Sequence, residues 1–448
     1  MKTDVIILAA GKGTRMVSST PKPLHPLLGK PIIHYVLSAV QPLADDPPLI
    51  VIGHGGEQIQ EDVGDEGRFV VQEELLGTGH AVQQTESILR GSGDLVLVVY
   101  GDMPLVQPQT LKKLVETQTK HAGPMTILTL IEEDPRGFGR VARDGAGQIQ
   151  AIIEEADATP AELEINELNA GMYCFNADWL WETIGHLALS DKGEYYLTDL
   201  VGLAVQADQS VDSVQVEEAW ELLGINNRVH LAEAAQILQE QINTRWMLSG
   251  VSILDPQSTY IESDVEIGQD TIILPNTYLQ GKTVIGENCR IGPGSKVYDS
   301  LVGDQCEIEF SVVEESRLED KVDIGPFSHL RRGTHLAAGV HVGNFGEIKD
   351  SYLGEGTKMG HFSYLGNARV GKDVNIGAGT ITCNYDGERK HQTIIRDGVF
   401  IGSDSMLVAP LEIGENASTG AGSVVTKDVP PGAVVVGIPA RQIKNKDP

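Results

Sequence analysis

Val5-Ile6-Ile7-Leu8 is a short, unbroken apolar run, and it leads straight into Ala9-Ala10-Gly11-Lys12-Gly13-Thr14-Arg15-Met16. Similar runs recur at Leu49–Ile52, Phe69–Val71 and Leu95–Tyr100, separated by amphipathic stretches such as Ile32–Val40 and Thr110–Thr119. Strand and helix alternating at this spacing predict an α/β unit with a mostly parallel sheet and helices on both faces. Ligands on such sheets bind beyond the carboxyl ends of the strands. From Asn227 to Met247 the pattern changes: Val229, Leu231, Ala234, Ala235, Leu238, Ile242 and Trp246 form one helical stripe, and Gly250 ends the run. A helix of about 20 residues spans roughly 30 Å and is expected to hold two parts of the chain apart.

Beyond it the period becomes six. Ile267, Ile273, Leu279, Ile285, Ile291 and Val297 follow one another at that interval; after a few five-residue steps the register resumes at Leu318–Ile348 and again at Ile395–Thr419. Glycine repeatedly follows the aliphatic position, as at Gly268, Gly286, Gly343, Gly377 and Gly402. A hexapeptide β-helix is predicted, with three repeats per triangular coil and one aliphatic residue pointing inward from each face. His329, His335 and His341 recur every six residues, which places them on three different faces and argues against a metal triad. The register is interrupted between Thr382 and Ile394 by Cys-Asn384-Tyr385-Asp-Gly-Glu-Arg-Lys390-His-Gln-Thr. Such a loop either builds a site or is merely tolerated. Three repeat steps either side of His361 fall Asn344 and Ala378, whose sizes leave room for a ligand.

Composition sharpens this division. Of 50 glycines, 26 lie in the 198 residues after residue 250, whereas all four tryptophans precede it. The formal charge is −29, which excludes a nucleic-acid binder and would repel an anionic membrane surface. No run approaches the length of a transmembrane helix, and the four cysteines form no CxxC pair, so a cytoplasmic protein without stable membrane insertion is expected. The Gly11–Gly13 loop is neither a dinucleotide fingerprint, because Met16 replaces the third glycine, nor a Walker loop. What remains is a turn whose bare amides can approach phosphates, with Lys12, Arg15 and Lys22 supplying charge, or else an ordinary turn. Asp102 ends a hydrophobic strand; beside a phosphate loop, such a carboxylate suggests Mg²⁺, although capping is the commoner fate of the residue.

Leu8-Ala-Ala-Gly-Lys-Gly-Thr-Arg15-Met, Pro21-Lys22-Pro, Gly77-Thr78 and Tyr100-Gly101-Asp102 resemble the sugar-1-phosphate nucleotidyltransferases. Within that group the likeness is closest to N-acetylglucosamine-1-phosphate uridylyltransferases. The resemblance implies a Rossmann-like domain over residues 1–228 and a linker helix over 229–249. It implies that Leu8, Ala9, Ala10 and Gly11, with Gln72, Gly77 and Thr78, hold the uracil end of UTP. Gly139, Glu154, Asn169 and the Tyr195–Thr198 segment would hold the sugar. Glu154 viewed alone would be a solvated strand-end charge. Asn226 would join Asp102 on Mg²⁺, its register shared with Asn227. Arg15 and Lys22 would carry the charge of phosphoryl transfer, a reaction that needs positioning and neutralisation more than acid–base groups.

Residues 250–448 resemble the acetyl-CoA-dependent hexapeptide acyltransferases through Leu330-Arg331, Asn344-Phe-Gly-Glu-Ile-Lys349, Gly360-His361-Phe-Ser-Tyr364, Asn375-Ile-Gly-Ala378, Asn384-Tyr385-Asp-Gly and Lys390. A left-handed parallel β-helix is implied, with His361 as general base toward the amine of glucosamine-1-phosphate; imidazole suits that role near neutral pH. Arg331, Lys349, Tyr364, Asn375 and Lys390 would hold the sugar phosphate. Ala378, Asn384, Tyr385, Ser403 and Ala421 would line the coenzyme A groove. The arginine usual near the position of Ile438 is missing, and Arg441 is its nearest substitute. No cysteine stands where an acyl-enzyme would need one, so direct transfer is expected. The two halves together resemble the bifunctional enzymes that make UDP-N-acetylglucosamine, which implies a homotrimer sharing its acetyl sites. The alternative is a nucleotidyltransferase with a structural or regulatory β-helix.

Overall fold

In the computed structural model, which describes residues 1–53, 55–135 and 137–445, strand β1 (Thr3–Ala9) is buried throughout and its side chains divide by parity. Val5, Ile7 and Ala9 enter one core layer with Ile33, Val36 and Val40 of helix α1 (Ile32–Val40) and with Leu111 and Leu114 of α2 (Pro108–Lys120). Ile6 and Leu8 enter the opposite layer with Leu180, Trp181 and with Leu200, Val201 and Ala204 of α3 (Asp199–Gln206). A strand covered on both faces favours apolar residues, which explains the unbroken run from Val5; Thr3 and Asp4 at its start are buried as well, and Asp4 accepts from Ser92 Oγ at 3.2 Å.

The remaining strands of this sheet are β2 (Leu49–Ile52), β3 (Arg68–Val71), β4 (Leu95–Tyr100), β5 (Met125–Ile131), β6 (Glu167–Asn176) and β7 (Asp212–Gln215). Their order is β7-β5-β6-β4-β1-β2-β3. β1 runs parallel to β2 and β4, and β5 to β7, but β6 is antiparallel to both its neighbours. Among these seven strands only β6 is reversed, which the apolar runs did not disclose; two short hairpin strands that also belong to the sheet pair antiparallel. Between β5 and β6 the chain makes the hairpin Arg140–Arg143/Ile149–Ile153 and no crossover helix, so it re-enters from the same end. The order reverses at β1, whose continuations lie on one side and β4 on the other. That opens a crevice over the ends of β1 and β4.

The chain divides into two units, Met1–Ile237 and Leu238–Pro448, and the division falls within helix α4 (Arg228–Leu248). The predicted stripe is corrected in part: Ala234 and Ile242 are buried, but Val229 is 74% exposed. The buried positions of the second half include the polar Gln239 and Asn243. Gln239 donates to the carbonyl of Thr259 (2.9 Å), and Asn243 to those of Pro256 (2.9 Å) and Thr259 (3.0 Å). These amides answer carbonyls at the first coil of the second unit, and a buried carbonyl needs a donor.

The second unit is a β-helix of three parallel stacks with 12, 10 and 9 strands, the last strand of the first stack being antiparallel. Successive aliphatic positions visit the stacks in turn: Ile273 pairs with Ile291, Leu279 with Val297, and Ile285 with Val302. His329, His335 and His341 lie on three different stacks, each beside its own acid: Glu314 (3.3 Å), Glu319 (2.8 Å) and Asp323 (2.5 Å). Glycines after the aliphatic position meet backbone of the next coil. A Cβ on Gly268 would stand 2.6 Å from the carbonyl carbon of Gly286. Close approach, rather than an unusual φ, is what excludes a side chain there. The corners also carry buried hydroxyls; Ser311 N donates to Ser295 Oγ (3.2 Å) and Thr271 Oγ1 to the Gly286 carbonyl (2.8 Å).

Candidate functional site

A cavity of about 500 Å³ lies over the crevice of the first unit, within the range of small-molecule sites. Its lining includes Leu8, Ala9, Ala10, Gly11, Lys22, Gln72, Gly77, Thr78, Tyr100, Gly101, Asp102, Gly139, Glu154, Asn169 and Asn226. A Cβ added to Gly11 would meet nothing within 4 Å, so the backbone there is open to a ligand. Gly13 has φ +58°, and a Cβ on it would lie 2.9 Å from Cβ of Lys22. Met16 is buried and anchors the short turn Thr14–Met16, so the side chain that breaks the dinucleotide motif fastens the loop.

The cations converge on the two predicted metal ligands. Lys22 Nζ forms an ion pair with the Asp102 carboxylate and lies 3.5 Å from Asn226 Oδ1. Arg15 is absent from the cavity wall but donates to the same Asn226 oxygen at 2.8 Å. Asn226, rather than Asn227, faces this cluster; Asn227 Oδ1 accepts from the amides of Val229 (2.9 Å) and His230 (3.0 Å) and caps α4. His230 Nδ1 lies 3.1 Å from the Gly224 carbonyl and steadies the turn carrying Asn226.

Gly77 has φ +98°, and a Cβ on it would fall 2.6 Å from the Tyr195 carbonyl oxygen. Gly79 N donates to that carbonyl (2.8 Å), and Leu197 N donates to Thr78 Oγ1 (3.1 Å). Thr198 Oγ1 then donates to Glu154 Oε1 at 2.9 Å. The Gly77–Thr78 turn and the Tyr195–Thr198 segment are therefore one hydrogen-bonded wall. Asn169 donates to the Tyr173 hydroxyl (2.8 Å) and accepts from Gly171 N (3.2 Å). Glu154 is not the solvated charge its sequence context suggests. Burial raises its pKa above the ordinary carboxylate value, and the Thr198 bond offsets this only in part. Burial likewise pushes up the Tyr100 hydroxyl, with the Glu154 charge adding to the effect.

In the second unit one corner repeats. Val342 pairs with Met359, Lys358 with Asn375, and Ile376 with Ile401. Two residues past these strands, that register places Asn344, His361, Ala378, Ser403 and Ala421 at equivalent points of five coils. A glycine precedes each: Gly343, Gly360, Gly377, Gly402 and Gly420. A Cβ on Gly377 would lie 2.6 Å from Ser403 N, and one on Gly402 2.8 Å from Ala421 N. His361 is exposed, with only small side chains following it along the column.

The other predicted residues divide between faces. Tyr364 and Lys349 lie on strands of the second stack, where Glu347 pairs with Tyr364 and Lys349 with Gly366. Arg331 follows a strand of that stack and donates to Glu347 at 2.8 Å. A side chain on Gly366 would collide with the Tyr364 hydroxyl and with Asn384 Nδ2, so bare backbone brings those groups close. Asn375 lies on the first stack instead. The inserted loop is ordered by its own bonds. Asp386 accepts from the amides of Glu388 (2.9 Å) and Arg389 (2.9 Å) and lies 2.6 Å from His391 Nε2. Those bonds hold its carboxyl well below the usual range. Asn384 donates to Asn367 (2.7 Å), Tyr385 is 61% exposed, and Lys390 lies 3.9 Å from Asp350. Arg441 is exposed on the final strand and pairs with Val436, whose side chain stands over Gly420. Cys383 does neighbour Asn384, but burial raises its thiol pKa and makes it a poor nucleophile.

Several residues in or near the cavity escaped sequence reading, among them Phe138 and His230 in its wall and His80, which is outside the lining but bonded to Gln72. Apolar and aromatic residues leave no local signal of a wall role. His80 had one: it is a polar residue on the first turn of the helix that opens from Gly77.

Residues 4–240 match the family model for nucleotidyl transferase, and residues 264–299 and 392–427 match that for the bacterial transferase hexapeptide (six repeats). The chain is 47% identical to the bifunctional protein GlmU of Heliobacterium modesticaldum over 97% of this chain and 95% of that protein. It is 46% identical to the protein of that name from Syntrophomonas wolfei, over 97% of each. The corresponding protein of Streptococcus equi subsp. zooepidemicus is 46% identical over 99% of this chain and 97% of its own length.

Proposed function

Since the chain belongs to the nucleotidyl transferase family and to the bifunctional GlmU family over almost its whole length, we propose that it makes UDP-N-acetylglucosamine in two steps. Acetyl transfer from acetyl-CoA to glucosamine-1-phosphate occurs on the β-helix, and uridylyl transfer from UTP to N-acetylglucosamine-1-phosphate occurs in the α/β unit. The observation that carries the reading is the presence, on one chain, of a cavity at a strand-order reversal whose wall holds the Lys22–Asp102 ion pair, and of the corner column around His361.

In the first step the amine attacks the thioester carbon; the C–N bond forms, the C–S bond breaks, and His361 takes the amine's proton. Arg331, Lys349, Tyr364, Asn375 and Lys390 hold the sugar phosphate. Ala378, Asn384, Tyr385, Ser403, Ala421 and Arg441 line the coenzyme path. The division of these residues between two stacks supports a site completed by a second copy. The exposed, stacked Phe310, Phe327 and Phe345 are apolar surface for that contact. A closed homotrimer is the proposed assembly.

In the second step an oxygen of the sugar phosphate attacks the α-phosphorus of UTP and pyrophosphate leaves. The donor set fits Mg²⁺: a carboxylate and an amide oxygen, both hard ligands, already share one cationic neighbour in Lys22. Asp102 and Asn226 would hold the ion, which supplies charge neutralisation on the phosphates. Arg15 and Lys22 are placed to move onto phosphate oxygens as that happens. Leu8–Gly11, Gln72, Gly77 and Thr78 hold the base, while Gly139, Glu154 and Asn169 hold the sugar. A cytoplasmic location is proposed as well; among the described residues no helix is long and apolar enough to cross a membrane.

Incubation with glucosamine-1-phosphate, acetyl-CoA, UTP and Mg²⁺ is expected to release coenzyme A, pyrophosphate and UDP-N-acetylglucosamine in equal amounts. Chelating the divalent metal should stop nucleotide formation and leave acetylation running. Turnover of N-acetylglucosamine-1-phosphate with no coenzyme A release from glucosamine-1-phosphate would favour the alternative, a β-helix that is only structural.

The raised pKa of Glu154 gives a pH signature. As pH falls through it, the carboxylate that accepts from a sugar hydroxyl becomes protonated, at a higher pH than for an ordinary glutamate. The KM for N-acetylglucosamine-1-phosphate should rise on that side, and in Glu154→Gln it should be high and flat with pH. Loss of one charge-assisted bond corresponds to about tenfold.

A further inference from the structure

Gln72 follows β3, is 3% exposed and lines the cavity. Its Nε2 lies 3.1 Å from the carbonyl oxygen of Gly77 and 3.0 Å from Nδ1 of His80. A carbonyl oxygen can only accept, so the amide nitrogen, not its oxygen, must face Gly77. The second amide hydrogen then points at His80, whose Nδ1 must be the accepting nitrogen of a neutral ring with its hydrogen on Nε2. Gln84 Nε2 lies 3.0 Å from that Nε2 and 3.3 Å from the His80 carbonyl oxygen; turning this amide over gives the ring hydrogen an acceptor in Oε1 at the cost of the longer bond. The ring is further fixed by stacking on Tyr195, with centroids 6.4 Å apart. Both hydrogens of the Gln72 amide are thereby spent within the protein, and only Oε1 remains for the cavity.

We infer that His80 is a specificity-determining positioning residue: it locks the Gln72 amide so that Gln72 offers the base an acceptor only. This rests on the reading that Gln72 faces the pyrimidine of UTP. Uracil presents N3–H, a donor, between two carbonyl oxygens, and Oε1 accepts from it. Cytosine presents a bare N3 lone pair at that point, which Oε1 repels. An unlocked amide could turn its NH₂ toward cytosine, so the selectivity resides in the lock as much as in Gln72 itself. The discrimination is of the strong kind, since the wrong base leaves a buried polar group unpaired.

The test is the ratio of kcat/KM for UTP and CTP with N-acetylglucosamine-1-phosphate, measured on full-length protein whose thermal unfolding has been checked. His80→Leu should lower the UTP/CTP ratio about tenfold or more, through a loss on UTP while CTP turnover holds or rises. His80→Asn, whose Oδ1 can stand near the site of Nδ1, should keep the ratio within about threefold of the parent. His80→Ala is read as His80→Leu is, should the latter not fold. An unchanged ratio in His80→Leu overturns the inference. So does an equal fall for both nucleotides, the mark of a merely structural role, and so does a loss of selectivity in His80→Asn as deep as in His80→Leu. Gln72→Ala separates the two levels: if it leaves the ratio unchanged, the base reading itself is wrong. If it lowers the ratio and His80→Leu does not, the base reading stands and the lock is refuted.

Discussion

Asp102→Ala is expected to reduce uridylyl transfer by about three orders of magnitude while acetylation of glucosamine-1-phosphate continues at the parent rate. The carboxylate is the only charged member of the pair of oxygens proposed for the metal, and it also anchors Lys22. Its removal takes away the ion's anionic ligand and leaves the lysine free to swing off the phosphates. Mutations that remove one preorganised electrostatic partner of a transition state cost about 10²–10³-fold, and loss of a metal ligand adds to this. Asp102→Asn keeps an oxygen but not the charge, and should fall between the two. Separate assays of pyrophosphate and coenzyme A release decide the matter. A nucleotidyl rate within tenfold of the parent in Asp102→Ala would sink the metal assignment.

The mirror experiment is His361→Ala. Acetyl transfer should fall by about 10²–10⁴-fold, the usual contribution of a positioned general base, with uridylyl transfer unaffected. His361 is exposed at a corner of the coil, so its loss should not disturb the stack, and circular dichroism melting should be unchanged. The column argument makes the prediction specific. Ala378, Ser403 and Ala421 are the small residues that follow His361 on successive coils, and a thioester lying along them would reach the imidazole. Normal acetylation by His361→Ala would mean that the base lies elsewhere.

Much of the fold is legible in the sequence because both halves use strict periodicities. A parallel strand covered on two faces favours an unbroken apolar run, so Val5–Ala9 of β1 and the run of β4 announce themselves. A coil that turns through three faces must place an aliphatic residue inward at each, so Ile267, Ile273 and Leu279 mark three stacks in turn. The reversed direction of β6 was not legible, because direction depends on the path of the connection and not on the strand's own residues. Nor was the polar underside of α4: Gln239 and Asn243 answer carbonyls of Pro256 and Thr259, and an amphipathic count treats both as solvent-facing.

The candidate sites divide in the same way. Gly11, Lys22, Asp102 and His361 are readable because each stands in a short motif at a strand end or a coil corner. The burial of Glu154 is not readable from its own sequence context, since desolvation is set by whatever covers a residue and Thr198 arrives from 44 positions away. By itself, the sequence determined the two architectures, the glycine-rich turn Gly11–Gly13 at a strand end and the six-residue register that aligns His361 with Ala378. Those are local or periodic properties, encoded wherever the pattern repeats. Only the tertiary structure decided which polar groups meet: Lys22 with Asp102 and Asn226, Arg15 with Asn226, and His80 with Gln72. Hydrogen-bond direction and charge pairing depend on distances of a few ångströms between residues remote in sequence, and no periodicity carries that information.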